Sequence, residues 1–552
     1  MRRRWSWVGR RWSCVRRKSI AAPPSSGALA VLSLVLLALL TTACRKEPPA
    51  IPPTPQHFGV GELETEPGAT APSSDAAALP TWTVPAGPGA LPPPGQPVEP
   101  GGRVPGDQIP GNQVPGGPGG IAPGNSGPPG DRSAGDIPVP TPRARVAVPA
   151  AGPPATDPAL VRLAGLVSAS RLTEDVHKLV GFGTRNALSP ADDPVRGVGA
   201  ARNWLIGEFD RLNGLGGRQV LSEFEDFNLD FGGRATTQRN VIVTLPGIGL
   251  TKQIIYLTAH YDSRVADPTN GTADAPGADD NASGTAALLE LARVLGQRQW
   301  DATLRLIAFA AEEPGLKGSR FHAAAAKRIG LPILAVFNND IIGSGTGAGG
   351  AVDLKHVRVY SADPDDGPSR RLARYAKVIG DRYGSPEVNL IPQADRKGRG
   401  GDHQPFSDAG YAAIRLIEAA EDLTRQHNGQ DLTDRLNADY HAAVVRLNVV
   451  LAGNLALAPP APESAPALAV PDGPAGAGVL RISWAPVEQA NLAGYWVAYR
   501  RADAVAYDKV VWAGQGTSFE LAGLAPSETA RVAVAAADDL GHMSLFSPEA
   551  IR

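Results

Sequence analysis

The chain has 552 residues, room for three or four domains at about 150 residues each. Hydrophobic residues make up 43% of it, enough for at least one large core, while two cysteines exclude a disulfide scaffold and any cysteine-based zinc cluster. The formal net charge of -2 excludes a chain-wide electrostatic nucleic-acid binder, so no nucleic-acid partner is expected.

The N-terminus reads as a targeting segment. Residues 1–26 carry eight Arg or Lys and no acid, and an apolar run follows over 28–40. That run is shorter than the ~20 residues a membrane span needs, and it ends in small residues, the pattern of a secretory signal. Thr41-Thr42-Ala43-Cys44 resembles a bacterial lipobox, although Leu40 stands one step further out than usual. We therefore expect residues 1–43 to be a lipoprotein-type signal peptide and Cys44 to be lipidated. The mature chain would then be extracytoplasmic and held on a bacterial membrane, with 45 basic against 55 acidic residues. A single acyl chain anchors only marginally, which a diacylglyceryl group on Cys44 would remedy.

Over 44–156 roughly a quarter of the residues are Pro, with much Gly and Ala. Such a composition cannot bury enough apolar area to offset chain entropy, so a disordered N-terminal tether is expected, whether as a spacer or as filler. Fully extended as polyproline II it would reach about 340 Å.

Order is expected from Asp157. Helical spacing of apolar residues covers 160–179 and 197–212. Strand-like runs follow at 240–245 and 253–258, then a helix over 284–296, then strands at 303–309, 333–337 and 357–360. This alternation predicts a three-layer α/β domain over 157–458, with a mixed, largely parallel sheet and helices on both faces. After Pro459-Pro460 the pattern turns to short period-2 strands, predicting a C-terminal all-β sandwich over 459–552. Trp484 and Leu524-Ala525-Pro526 resemble fibronectin type III, with Ala530 where that family has a tyrosine.

The polar residues that carry chemistry sit where strands end. His260-Tyr261-Asp262 follows the strand at 253–258, Glu312-Glu313 follows 303–309, and Asn339-Asp340 follows 333–337. Asp279-Asp280-Asn281 opens the helix at 284, and His427 lies in a later polar loop. In open α/β sheets ligands bind outside the carboxyl ends of the strands. Two His and three carboxylates are too many for one open tetrahedral zinc, but they suit two metals sharing a carboxylate. In the Glu312-Glu313 pair a carboxylate beside a ligand would serve as a general base. This combination points to metal-assisted amide hydrolysis of peptide substrates.

The succession of these motifs, with Gly181-Phe182-Gly183-Thr184-Arg185, Glu312 to Ser319 and Gly401-Asp402-His403-Gln404-Pro405-Phe406, resembles the secreted zinc aminopeptidase family. That family includes bacterial leucine aminopeptidases, carboxypeptidase-like membrane antigens and glutaminyl cyclases. The resemblance implies a zinc exopeptidase fold and two Zn2+ per chain. It implies His260 and Asp340 on one zinc, Glu313 and His427 on the other, and Asp280 or its neighbour Asp279 between them, just before a cis peptide at Asn281. Glu312 would be the general base for a bridging water, and Asp262 would orient His260 from behind. Asp402 and His403 would be structural or pocket-lining. Gln426 stands where some members have a tyrosine, and Pro314 where the family varies. His322, His356 and His441 lack carboxylate partners at useful spacing and are read as structural. Two readings stay open beside the aminopeptidase: a single-zinc glutaminyl cyclase-like enzyme, and a tethered binding protein with a decayed metal site. The pattern carries no sign of an oligomeric state.

Overall fold

The structure is a computed structural model, and it describes residues 152–214, 219–384, 386–472, 478–524 and 528–552. The expected signal peptide, Cys44 and the tether up to residue 151 lie outside the described residues.

Helices α1 (Pro158–Ala164) and α2 (Ala169–Val180) open the described chain. The single helix expected over 160–179 is thus two, because Gly165 ends the first and Ser168 caps the second from its side chain. Helix α3 (Gly197–Asp210) leads to a hairpin of β1 (Leu221–Phe231) and β2 (Arg234–Leu245), turned by Gly232-Gly233, both at positive φ. The hydrophobic pattern had marked only the inner half of β2. The polar outer half and β1 are a long antiparallel flap whose buried residues alternate at Glu225, Phe227 and Leu229.

The remaining elements of the α/β region are β3 (Ile254–His260), α4 (Gly284–Leu295), β4 (Thr303–Phe309), α5 (Lys317–Arg328) and β5 (Ile333–Asn339). They continue with β6 (His356–Ser361), α6 (Pro368–Tyr383), β7 (Glu387–Ile391), α7 (Gln404–Asp408), β8 (Ala413–Glu418) and α8 (Ala438–Leu457). The eight strands form one mixed sheet in the order β1-β2-β4-β3-β5-β8-β6-β7. Its central pairs β4-β3, β3-β5 and β5-β8 are parallel, as is β6-β7. Period-2 side-chain alternation gives the sheet two faces. Leu304, Leu306 and Ala308 of β4, with Ile255, Leu257 and Ala259 of β3, join the core that contains α4 and α8. Tyr256 and Phe309 point the other way, against His322 of α5 and Phe406 of α7. Helix α8 is long and apolar enough to cross a membrane, yet it is mostly buried in this core.

The C-terminal strands are β9 (Ala467–Ala469), β10 (Val479–Ser483), β11 (Leu492–Arg501), β12 (Lys509–Gly514), β13 (Ser518–Ala522), β14 (Ala530–Asp538) and β15 (Ala550–Ile551). They form two antiparallel sheets, β13-β10-β9 and β12-β11-β14-β15. Leu480, Ile482, Trp484, Tyr495, Val497 and Val534 fill the space between the sheets. The opposite face of the four-stranded sheet is also buried. Ala498, Ala533, Ala535, Met543 and Phe546 belong to the main α/β core. Polar ties cross the same seam: Arg374 of α6 lies 3.3 Å from Glu549, and Asn454 of α8 donates to the Met543 carbonyl at 2.8 Å. The C-terminal strands after Pro459-Pro460 therefore enclose a core of their own and also contribute one face to the main core.

Candidate metal centre

The parallel register of β3, β4 and β5 brings their carboxyl ends to one edge. His260 is the last residue of β3, Glu312 and Glu313 follow β4, and Asp340 follows β5. Asp280 lies in a kinked turn, Ala278–Ser283, ahead of α4, and its peptide bond to Asn281 is cis. At Gly284 an added Cβ would stand 2.3 Å from the Asn339 carbonyl, so glycine lets this turn lie against the end of β5.

Buried polar groups hold these loops. Arg185, wholly buried in the Gly181–Arg185 motif, donates to the carbonyls of Tyr261, Pro276 and Gly277 at 2.7, 2.7 and 2.8 Å. It thereby ties the end of β3 to the turn that carries Asp280. The Asp431 carboxylate accepts the backbone N–H groups of Asp279 and Asp280 at 3.0 and 2.9 Å. The Asp262 carboxylate accepts those of Glu312 and Glu313 at 3.0 and 3.2 Å, and its Oδ1 lies 3.4 Å from His260 Nδ1. Asp262 thus lies on the Nδ1 side of His260, which also meets the Asp262 carbonyl at 3.2 Å, and it fixes the Glu312-Glu313 loop.

Asp280 is the carboxylate between the two histidines: Oδ1 is 3.3 Å from His260 Nε2 and Oδ2 is 3.1 Å from His427 Nε2. Asp279 turns away and accepts the Gly343 N–H at 2.9 Å. Asp340 Oδ1 is 3.5 Å from His260 Nε2, and Glu313 Oε2 is 3.3 Å from His427 Nε2. The donors form two groups, His260 with Glu312 and Asp340, and Asp280 with Glu313 and His427; within each, the donor atoms lie within 4.8 Å of one another. Among the described residues, two buried carboxylate oxygens, Glu313 Oε1 and Asp340 Oδ1, have no hydrogen-bond partner. Orphaned anionic oxygens beside imidazole nitrogens at this spacing are a donor set that fits Zn2+.

The electrostatics follow from burial and neighbours. Burial drives the Glu312 carboxyl well above the ordinary carboxylate range, against the pull of His260. Burial and Asp280 raise Glu313 to about 7. Burial opposes ionisation of Asp280 too, but hydrogen bonds from His260 and His427 hold it well below its usual value. Burial likewise works against the charge on Asp340, where Arg415 and His260 outweigh it and lower the pKa.

His260, Asp280, Glu312, Glu313, Asp340 and His427 line a cavity of about 350 Å³. Sequence reasoning missed its second component, a set of arginines. Arg264, Arg320, Arg396, Arg399 and Arg415 all line the cavity. Arg264 Nε pairs with Glu313 at 2.8 Å, and Arg415 joins Asp340 at 3.0 Å to Asp395 at 2.7 Å. Arg399 donates to Gln426 Oε1 at 3.0 Å. The run Arg396-Lys397-Gly398-Arg399-Gly400-Gly401 was the available signal, a basic glycine-rich loop just before the Asp402-His403 motif. Asp402 and His403 are buried and absent from the cavity lining; His403 Nε2 donates to the Ala394 carbonyl at 2.7 Å.

Two of the other histidines need correction. His322 does have a carboxylate partner, Glu225 on the flap, at 2.9 Å, and His356 has Asp353 at 2.9 Å. The first was hidden because β1 went unrecognised and the pair is 97 residues apart. Among the described residues His441 has no carboxylate partner, and it donates to the Ser283 carbonyl at 3.0 Å.

Residues 240–452 match the model of peptidase family M28. A "Probable zinc metalloprotease" of Pyricularia oryzae is 35% identical over 394 residues, covering 65% of this chain and 78% of the relative. The chain belongs to peptidase family M28. A second fungal "Probable zinc metalloprotease", from Leptosphaeria maculans, is 32% identical and covers 66% of this chain and 90% of the relative. Among solved structures, the LapA aminopeptidase of Legionella pneumophila is 20% identical, with a TM-score of 0.44 over 54% of this chain and 74% of that one. The aminopeptidase of Aneurinibacillus sp. strain AM-1 is 28% identical, with a TM-score of 0.33 over 41% and 49%. This M28 peptidase is thus a metallopeptidase, and its substrates are peptides.

Proposed function

We propose that this M28 peptidase is a zinc-dependent exopeptidase, an aminopeptidase that removes N-terminal residues from peptides outside the cytoplasm. The observation that carries the reading is the pair of donor groups around Asp280, with Glu312 within reach of one of them. His260 and Asp340 would hold one zinc, Glu313 and His427 the other, and Asp280 would serve both. Bound there, zinc supplies Lewis-acid polarisation of the scissile carbonyl and makes water a stronger acid.

The chain's own groups do the rest. Glu312, half-buried in the cavity wall, accepts a proton from the attacking water on its carboxylate and returns it to the leaving nitrogen. Asp262 keeps both Glu312 and His260 in register through its backbone and ring contacts. Asp280 keeps the two imidazoles facing one another. A single-zinc cyclase would leave His260 and Asp340 without a role, and a decayed site would not be expected to keep Glu312 beside a complete donor set.

Two further parts of the reading rest on other features. The Thr41–Cys44 motif supports a lipid anchor on a bacterial membrane, tested by whether Cys44→Ser releases the protein from membranes. The three-plus-four strand arrangement supports the fibronectin type III resemblance of the C-terminal sheets.

The deciding experiment is elemental analysis of the purified mature chain after dialysis against trace zinc, followed by aminoacyl-nitroanilide assays. Two zinc per chain with turnover is the expected result. One zinc, or turnover confined to glutaminyl cyclisation, would overturn it.

A further inference from the structure

The cavity at the metal centre is chemically one-sided once its charges are matched. Its lining includes four carboxylates, Asp280, Glu312, Glu313 and Asp340, and five arginines. Three of those carboxylates are donors in the function proposed above, on which this inference rests, and two divalent ions would balance all four. The arginines then remain as surplus positive charge around the place a substrate must enter. Among the described residues Leu316 is the only large apolar side chain in the lining, so the cavity offers little apolar surface to a leucyl or phenylalanyl side chain.

The arginines are not equally committed. Arg415 is buried and held between Asp340 and Asp395, and Arg264 is held by Glu313. Arg396 pairs with Glu421 and Asp395, yet its Nη2 is buried with no hydrogen-bond partner. Arg399 is about one-third exposed; its one good hydrogen bond is to the neutral Gln426, and Asp280 Oδ2 stands off at 3.9 Å. Arg320, on the first turn of α5, is exposed and has no side-chain hydrogen bond or ion pair among the described residues. Two guanidinium groups are therefore left to meet a ligand, one from a helix and one from the basic loop. A guanidinium presents paired N–H donors that match a carboxylate, and a cleft lined by one sign of charge concentrates the opposite sign.

We propose that this site selects peptides bearing a carboxylate next to the scissile amide, with Arg320 and Arg399 as its recognition groups. The carboxylate has two sources of the same chemistry: an Asp or Glu side chain on the residue to be released, or the free C-terminus of a short peptide.

The test uses the mature chain with Glu312→Gln, so that peptides bind without turnover. Affinities are measured calorimetrically, with and without zinc, for Glu-Ala-amide against Gln-Ala-amide, and for Ala-Ala against Ala-Ala-amide. The expected result is at least about tenfold tighter binding of the acid in one of the two pairs, as one charge-assisted contact supplies. The pair that discriminates names the source. Arg320→Gln or Arg399→Gln should bring that ratio down toward one, and raising the salt concentration should shrink it. Equal affinities within both pairs, or a ratio untouched by both arginine substitutions, would overturn the proposal. Wild-type turnover is followed separately on leucyl-, glutamyl- and lysyl-nitroanilides. Failure to cleave any peptide would sink the exopeptidase reading while the binding ratios still decide the anion preference.

Discussion

The backbone N–H of Glu312 donates to Asp262 Oδ1 at 3.0 Å. The proposed base is therefore held by a residue two places beyond the proposed ligand His260, across 50 residues of chain. One carboxylate serves two loops, since it also accepts from Glu313 and stands behind the His260 ring.

Asp262→Ala should accordingly lower both zinc affinity and turnover. Outer partners of metal ligands typically cost about 10- to 100-fold when removed. Zinc titration followed by a kcat measurement at saturating zinc separates the two effects. A loss of turnover with unchanged zinc affinity would assign Asp262 to the Glu312 loop alone.

Glu312→Gln should retain bound zinc and lose about 10²- to 10⁴-fold in turnover, the range for loss of a general base. Glutamine fills the same space but cannot accept a proton from water. Elemental analysis beside kcat checks this; turnover within a few-fold of wild type would remove Glu312 from the mechanism.

The buried seam between the C-terminal strands and the α/β core predicts that the chain cannot be cut at residue 458. A protein ending there would expose the core face now covered by Ala533, Ala535, Met543 and Phe546. We expect it to be insoluble or molten. The milder Met543→Ala should cost about 2–5 kcal/mol, the usual range for emptying a buried site, measurable by denaturant titration. A truncated chain with native near-ultraviolet circular dichroism and full activity would contradict this.

Burial lowers the pKa of His441 to about 4, only partly offset by its hydrogen bond to Ser283. Its folded value lies below the unfolded one, so the neutral ring contributes stability above about pH 6.5 that is lost as pH falls toward 4. The loss from this residue between pH 7 and pH 5 should be about 2 kcal/mol. Denaturation of wild type and His441→Gln at both pH values isolates it, because the variant should show a correspondingly smaller difference.

Much of the catalytic region was readable in one dimension because its chemistry is local. Four of the five proposed ligands end or follow a strand or precede a helix, His427 in its loop being the fifth, and the short apolar runs at 253–258, 303–309 and 333–337 announce those strands in order. What stayed hidden depends on contacts far apart in the chain. Arg415 meets Asp340 across the sheet, and Arg399 reaches the site from a loop between β7 and α7 whose glycines carry no periodicity. In the flap strand β1 the alternation is blurred, because Glu225 stands in the buried row with Phe227 and Leu229 while Phe224 stands in the other. The division of the first helix turned on Ser168, whose capping role shows only when the chain bends there.

The C-terminal strands carry a further consequence for how such a protein can change over time. Alternate residues of β14 serve two interiors, Val532, Val534 and Ala536 between the sheets and Ala533 and Ala535 against the catalytic region. A sandwich constrained on both faces is not a bead on a string. It cannot be shuffled onto another enzyme, or exchanged for an unrelated one, without rebuilding the surface it covers, so its sequence and that of α8 must drift as a pair.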